Sequence, residues 1–138
     1  MRMMRHFTES YPGFLTVEND QTSRDGSLDA QLAFLRSCEE NSIPLFFTFD
    51  VGNWAWVAED PVWNATQLRH FVQYIHVKDV LFTDGVPTAV PVGTGELPLQ
   101  EVFRQLPKEK FVALEYPCGD HPLDLLRAGI DWLVKVQE

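Results

Sequence analysis

The sequence has 138 residues, 45% of them hydrophobic, which suits one folded domain with its own core. Its formal net charge of -9, with no cluster of lysines and arginines, argues against nucleic acid as a partner. Apolar runs shorter than the roughly 20 residues of a membrane span, the absence of a signal-peptide pattern and two isolated cysteines lead us to expect a soluble cytoplasmic protein.

Four short apolar runs predict β-strands that are buried on both faces. They lie at 13–18, 44–49, 71–77 and 110–116. Nearly continuous apolar runs of this length, rich in β-branched and aromatic residues, are typical of parallel sheets. The sequence therefore predicts an α/β fold with about four parallel strands.

Segments with helical periodicity alternate with these strands. Apolar residues recur every three or four positions in 28–35, 99–106 and 123–134, and a short helix is expected within 59–70. The segment 79–98 contains several glycines and prolines and is predicted to be a long functional loop. This alternation implies right-handed βαβ units, either in a small doubly wound sheet or in part of a β/α barrel.

Each predicted strand ends at a residue that can bind a metal ion: Glu18, Asp50, His76 and Glu115. The carboxyl ends of parallel strands meet along one edge of the sheet, so these side chains can converge. Charged residues are also common at strand ends because the chain reaches the surface there, but four in succession rarely arise from composition alone. Three carboxylates and one imidazole favour Mn²⁺, Mg²⁺ or Co²⁺ over Zn²⁺.

Three features near these positions have two readings each. Lys78 shares its face of the strand with His76, where it could stabilise an oxyanion or form an ion pair with a nearby acid. Trp54 could line a sugar pocket or pack in the core. Gly93 and Gly95 could cradle an anion through their backbone, although a simple loop turn fits the pattern better.

The ordered motifs of the chain resemble those of the xylose isomerase-like barrel superfamily. They are Glu-Asn after the first strand, Asp-Val-Gly-Asn-Trp, Tyr-Ile-His-Val-Lys-Asp, Pro-Val-Gly-Thr-Gly-Glu and Leu-Glu-Tyr-Pro. In that superfamily, the matching segments belong to the fifth to eighth strands of an eight-stranded barrel. The resemblance implies that residues 1–138 form a single half-barrel domain, the C-terminal half of a TIM-type barrel.

The resemblance also implies a function, namely metal-dependent isomerisation or epimerisation of a small sugar, sugar phosphate or keto acid. By this resemblance, the four strand-end residues are expected to be metal ligands. Glu18 and Glu115 are also expected to be the acid/base pair on opposite faces of the substrate carbon. Substrate contacts are expected from Asn53, where many relatives have a histidine, and from Trp54 and Lys78. The alternative is a noncatalytic domain that keeps the fold and binds a metabolite or a partner chain.

The length of the chain predicts association. A complete barrel of this kind takes about 250 residues, so this sequence supplies about half of one. Four parallel strands alone leave two open sheet edges and an apolar inner face that a protein must cover. We therefore expect a homo-oligomer, most simply a two-fold dimer, or a chain that pairs with a missing N-terminal half.

Overall fold

The computed structural model describes residues 6, 10 and 13–137. In chain order, its strands are β1 (Leu15–Glu18), β2 (Leu45–Asp50), β3 (Val72–Val77), β4 (Asp79–Thr83), β5 (Val86–Val90) and β6 (Phe111–Leu114). Its helices are α1 (Leu28–Glu40), α2 (Pro61–Leu68), α3 (Leu99–Gln105) and α4 (Pro122–Gln137), with a short 3₁₀ helix at Asn53–Val57. The predicted alternation of strands and helices is confirmed.

The main sheet contains β1, β2, β3 and β6 in that order, and every neighbouring pair is parallel. Sequential order in a parallel sheet means that each connection returns the chain to the same end before the next strand begins. The helices that make these connections pack on one side of the sheet, and together with it they form the core. This is the arrangement of half of a TIM-type barrel, as predicted.

Capping residues in the sequence determine where the first two helices begin. The side chain of Ser27 accepts a hydrogen bond from the amide of Ala30 at the start of α1. The carboxylate of Glu59 accepts a hydrogen bond from the amide of Leu28, and this bond connects the start of α1 to the segment before α2. Asp60 caps α2, whose first residue is a proline that needs no hydrogen-bond partner for its nitrogen.

The two faces of the main sheet differ in polarity. Alternate residues such as Phe47 and Ile75 point toward the helices and are buried in the core. The opposite face carries Thr16, Thr48 and Tyr74, and the hydroxyl of Thr48 donates a hydrogen bond to that of Thr16 over 2.8 Å. The expectation of an inner face that is wholly apolar is therefore wrong. Polar groups are tolerated on this face because neighbouring strands satisfy one another's hydrogen bonds.

The segment 79–98, predicted to be a loop, contains an antiparallel hairpin formed by β4 and β5. Its turn falls at Asp84 and Gly85, which both have positive φ values, of 51° and 79°. An Asp-Gly pair between apolar, β-branched residues is a strong hairpin signal, because both turn positions need left-handed backbone. The prediction of a loop is therefore wrong for 79–90, where the prolines and glycines further along the segment obscure this pair, and it holds for 91–98.

The carboxylate of Asp79 fixes the chain that follows the hairpin. It accepts hydrogen bonds from the amides of Val80, Gly93, Gly95 and Leu97, at distances of 2.8 to 3.2 Å. The backbone around the two glycines is thus a cradle for an anion, but the anion is a side chain of the protein itself. This confirms the reading of these glycines as a structural turn.

Apolar side chains remain exposed on the open side of the sheet and on the last helix. Phe14, Phe46 and Phe111 cluster at the amino ends of the strands, with ring centroids 6.3 and 6.4 Å apart, and Phe111 is 67% exposed. Ile130 and Val134 of α4 are also exposed. Among the described residues, β1 and β6 each lack a neighbour along one edge. In the same residues, no helix has the length and apolarity needed to cross a membrane.

From these exposed groups we expect the chain to self-associate, most simply as a two-fold dimer, because association would cover apolar surface and open strand edges. Sedimentation equilibrium at micromolar concentration should show a species heavier than the 15.8 kDa monomer. Substituting Phe111→Ser should weaken the association roughly tenfold or more. The matched control is Trp63→Ser, which removes an exposed aromatic ring from α2 on the helical side. A clean monomer that binds no hydrophobic dye would contradict the prediction.

Candidate metal centre

The structure brings together the four residues at the predicted strand ends. Glu18 and Asp50 are the last residues of β1 and β2, His76 is the next-to-last residue of β3, and Glu115 directly follows β6. One potential ligand atom from each residue lies within 4.8 Å of all the others. Residues that are far apart in the sequence therefore form one cluster at the carboxyl edge of the sheet.

A shift in strand register aligns the two central members of this cluster. Phe47 pairs with Val72, but the next residue of β2, Thr48, pairs with Tyr74, so β3 contains one extra residue at this point. Such an irregularity changes which side chains lie opposite each other. As a result, Asp50 pairs directly with His76.

The imidazole of His76 lies between the two glutamates. Its Nδ1 atom is 3.0 Å from Oε1 of Glu18 and 3.3 Å from Oε2 of Glu115. The ring of Tyr74 meets the imidazole edge-on, with centroids 5.0 Å apart, and helps to fix its orientation. The same nitrogen atom that faces both carboxylates is therefore directed toward the middle of the cluster.

Hydrogen bonds hold one carboxylate oxygen of Asp50 and both polar groups of its backbone. Its Oδ1 atom accepts hydrogen bonds from the backbone amides of Gly52 and Asn53, both with lengths of 2.9 Å. The side chain of Asn19 accepts the amide of Asp50 over 2.9 Å and donates to its carbonyl over 3.0 Å. Asn19 therefore clamps the backbone that carries the carboxylate, a role that was not predicted. The Glu-Asn motif contains this residue, but no local pattern shows which strand a polar side chain will reach.

Asn53 and Trp54, both expected to contact a substrate, are buried. The side chain of Asn53 donates to the carbonyl of Asn19 over 2.8 Å and accepts from Gln21 over 3.0 Å, so its polar atoms already have partners. Trp54 is fully buried and packs against Phe49, with ring centroids 5.5 Å apart. Of the two roles expected for Trp54, the geometry supports core packing, because a ring with no exposed surface cannot line a pocket.

Lys78 reaches into the cluster, as its position two residues after His76 predicts. Its Nζ atom lies 2.7 Å from Oδ2 of Asp50 and 3.0 Å from Oε2 of Glu115. The side chain is only 7% exposed, so both ion pairs are shielded from water. Of the two roles expected for Lys78, the structure therefore contains the ion pair with neighbouring acids.

Burial and mutual contact shift the pKa values of the two acids that Lys78 joins. Burial raises the pKa of Asp50 to about 7, even though the ammonium of Lys78 acts in the opposite direction. Burial would also raise the pKa of Glu115, but hydrogen bonds from Asp50 and Lys78, with the charges of Lys78 and His76, hold it below its usual range. Asp50 is therefore the weaker acid of the two.

The donor set fits a divalent metal ion. Three carboxylates and one imidazole nitrogen are within reach of one point, and oxygen-rich sets of this kind bind Mg²⁺, Mn²⁺ or Co²⁺. The Oδ2 atom of Asp50 is buried and has no well-aligned hydrogen bond among the described residues, although the Lys78 ammonium lies close to it. A buried carboxylate oxygen in this state is suited to a cation.

Comparisons with known proteins agree with this fold. The family model described as xylose isomerase-like TIM barrel matches residues 15–136, so the chain belongs to this family. Among solved structures, it is similar to the probable 3-DHS dehydratase AsbF involved in the petrobactin synthesis from Bacillus anthracis, with a TM-score of 0.79 and 21% identity. It is also similar to a xylose isomerase-like TIM barrel protein from Mycobacterium smegmatis in complex with magnesium, with a TM-score of 0.70 and 16% identity.

The chain spans only about half the length of these solved structures. The alignment with the dehydratase covers 96% of this chain and 53% of that one. The alignment with the magnesium complex covers 89% of this chain and 43% of that one. Among curated proteins, none matches the sequence significantly. The family model establishes the family, and the likenesses to solved structures show the fold and agree with the prediction of a half-barrel.

The buried carboxyl of Asp50 predicts how stability depends on pH when no metal is bound. An acid whose pKa is higher in the folded state stabilises the fold at low pH and loses that contribution as pH rises through the folded value. In the presence of a chelator, the free energy of unfolding should therefore fall between about pH 4 and pH 7. A difference of about 3 in pKa corresponds to roughly 4 kcal/mol, which is the upper limit of this decline.

Urea unfolding at a series of pH values measures this decline. Asp50→Asn is the control, because an amide does not titrate and should remove most of the slope. Glu115 has a lowered pKa, so its contribution is lost as pH falls below about 4.5, which is a slope opposite in sign to that assigned to Asp50. A free energy of unfolding that rises from pH 4 to pH 7, or an equal slope in the variant, would show that Asp50 is not the responsible group.

Proposed function

We propose that this centre binds a divalent metal ion and serves a sugar isomerase or epimerase. The substrate we propose is a small sugar, sugar phosphate or keto acid, and the chemistry is proton transfer at a carbon next to a carbonyl group. The convergence of four ligand groups from four strand ends within 4.8 Å is the observation that carries this proposal. Because the chain spans half the length of its solved relatives, we assign the activity to a barrel completed by four further strands.

Mn²⁺, Mg²⁺ and Co²⁺ are the ions that we propose for the centre, with Zn²⁺ less favoured. Hard, oxygen-rich ligand sets prefer these ions, and the similar protein from Mycobacterium smegmatis is in complex with magnesium. The residues that would hold the ion are Glu18, Asp50, His76 and Glu115. When bound, such an ion polarises a carbonyl and thereby lowers the cost of removing a proton from the neighbouring carbon.

Exposure separates the four ligands into two pairs with different roles. The side chain of Asp50 is fully buried and that of His76 is only 19% exposed, so both lie deep in the site. The side chains of Glu18 and Glu115 are 35% and 51% exposed, so a small molecule can reach their carboxylates. We therefore propose the two glutamates as the acid/base pair, one accepting a proton from the substrate carbon and the other returning one.

This chemistry is compatible with more than one outcome for the substrate. When they proceed by proton transfer, isomerisation, epimerisation and a dehydration that begins beside a carbonyl share one first step, the removal of a proton from the carbon next to that carbonyl. One of the similar structures is named a probable dehydratase, which supports this shared step rather than a particular product. A small polyhydroxylated carbonyl compound is therefore the substrate class that we propose.

Metal binding is the first test of this proposal. Calorimetric titration of the chelator-treated chain with MnCl₂ should show one ion bound per site, with saturation at micromolar to millimolar concentration. Asp50→Ala removes a buried ligand and should weaken binding by roughly 100-fold or more, since each metal–carboxylate bond contributes several kcal/mol. Asp60→Ala is the matched control, because Asp60 caps α2 and lies outside the cluster. Equal affinity in both variants would refute the assignment of ligands.

Proton exchange is the second test. The protein to be assayed is the barrel completed by four further strands, in D₂O with MnCl₂. Proton NMR should then reveal exchange at the carbon next to the carbonyl in at least one of D-fructose, dihydroxyacetone and hydroxypyruvate. Glu115→Gln should reduce that exchange by roughly 100-fold or more, because an amide does not act as a base, while some metal stays bound. Unchanged exchange in this variant would contradict the role of Glu115. Metal binding by the completed barrel without exchange of any probe would favour the noncatalytic alternative.

A further inference from the structure

The ammonium group of Lys78 lies on two oxygens that a metal ion in this centre would also use. It is 2.7 Å from Oδ2 of Asp50 and 3.0 Å from Oε2 of Glu115. Oδ1 of Asp50 already accepts two backbone amides, so Oδ2 is the oxygen left for a cation. Lys78 and a metal ion therefore have the same partners.

Gly52 provides the space through which Lys78 reaches these oxygens. A Cβ atom at this position would overlap Cγ of Lys78 and lie 3.1 Å from its Cδ and Cε atoms. The backbone at Gly52 has φ and ψ values of -81° and -31°, which any residue adopts easily. Glycine is thus not required here by the backbone conformation. Its missing side chain matters because the stem of Lys78 occupies that volume.

Charge also connects Lys78 with the metal. With all three carboxylates ionised, the four candidate ligands carry three negative charges, and the ammonium reduces this to two. A divalent ion would then bring the centre to neutrality. Without any cation, carboxylates this close together repel one another, and an ammonium shielded from water opposes that repulsion strongly.

We propose that Lys78 is an internal cation of this centre, which holds Asp50 and Glu115 together before a metal binds and competes with the metal for their oxygens. This inference rests on the proposed metal binding, and it assigns to Lys78 a positioning role that the ligand set does not include. An ammonium and a divalent ion that share the same carboxylates repel each other, so the affinity for the metal is lower while Lys78 is present.

Lys78→Met tests the competition, because methionine keeps an unbranched stem beside Gly52 and removes the charge. In calorimetric titration with MnCl₂ alone, the variant should bind at least roughly tenfold more tightly than the wild-type chain. Without metal, it should unfold at lower urea concentration, since the two acids lose their counter-ion. The matched control is Lys108→Met, which changes the net charge equally at an exposed position and should leave Mn²⁺ affinity unchanged.

Gly52→Ala provides a second test in which no charge is removed. The added methyl group should push the stem of Lys78 aside, move the ammonium away from the carboxylates and tighten Mn²⁺ binding. In a chain that already carries Lys78→Ala, the long side chain is absent and Gly52→Ala has nothing to displace. It should then change neither the free energy of unfolding nor the Mn²⁺ affinity further. This comparison of single and double variants keeps the proposal testable even if Lys78→Met does not fold.

The outcomes separate this inference from the proposed function. Mn²⁺ affinity that falls or stays the same in Lys78→Met overturns the competition, and it would mean that Lys78 orients the carboxylates for the metal instead. Tighter binding in the variant supports the role of Lys78, and a completed barrel that exchanges no proton in any probe refutes the enzymatic proposal alone. If neither the wild-type chain nor the variant binds Mn²⁺ at millimolar concentration, both the metal centre and the role of Lys78 are refuted.

Discussion

The candidate centre depends on the burial of one carboxylate, that of Asp50. A charged group in the interior is costly unless it is hydrogen-bonded and paired. Here two amides after the strand bind one oxygen of the carboxylate, the Lys78 ammonium faces the other, and Asn19 clamps the backbone from the adjacent strand end. Even with these partners, burial raises the pKa of Asp50 to about 7. The buried carboxylate therefore favours a proton or another positive charge beside it.

The parallel sheet makes this concentration of charge possible. All strands of the main sheet run in one direction, so their carboxyl ends lie side by side along one edge. The register shift in β3 then brings His76 level with Asp50. Each strand contributes only one ligand, and none of the four residues has a partner for metal binding near it in the sequence. The site therefore arises because the fold aligns four strand ends, and it does not depend on a local sequence motif.

The inner face of the sheet shows how half of a barrel differs from a complete one. Near the site it is polar, with paired threonines and Tyr74, whereas at the opposite end three phenylalanines remain exposed. In a closed barrel, side chains from the facing strands would fill this space in layers. The family match and the coverage of about half of each solved structure agree with this picture.

The sequence by itself determined the elements and the ligand candidates. Continuous apolar runs predicted parallel strands, helical periods predicted the helices between them, and a polar residue after each run marked the strand ends. The Asp-Gly pair of the β4–β5 hairpin was a local signal that neighbouring glycines and prolines obscured, and no local pattern revealed the burial of Trp54. Only the tertiary structure decided that Asn19 clamps Asp50, that Asp79 fills the glycine cradle and that Lys78 joins two acids across the sheet. These contacts link residues that are 14 to 37 positions apart, and their geometry follows from strand register and packing, which no local pattern encodes.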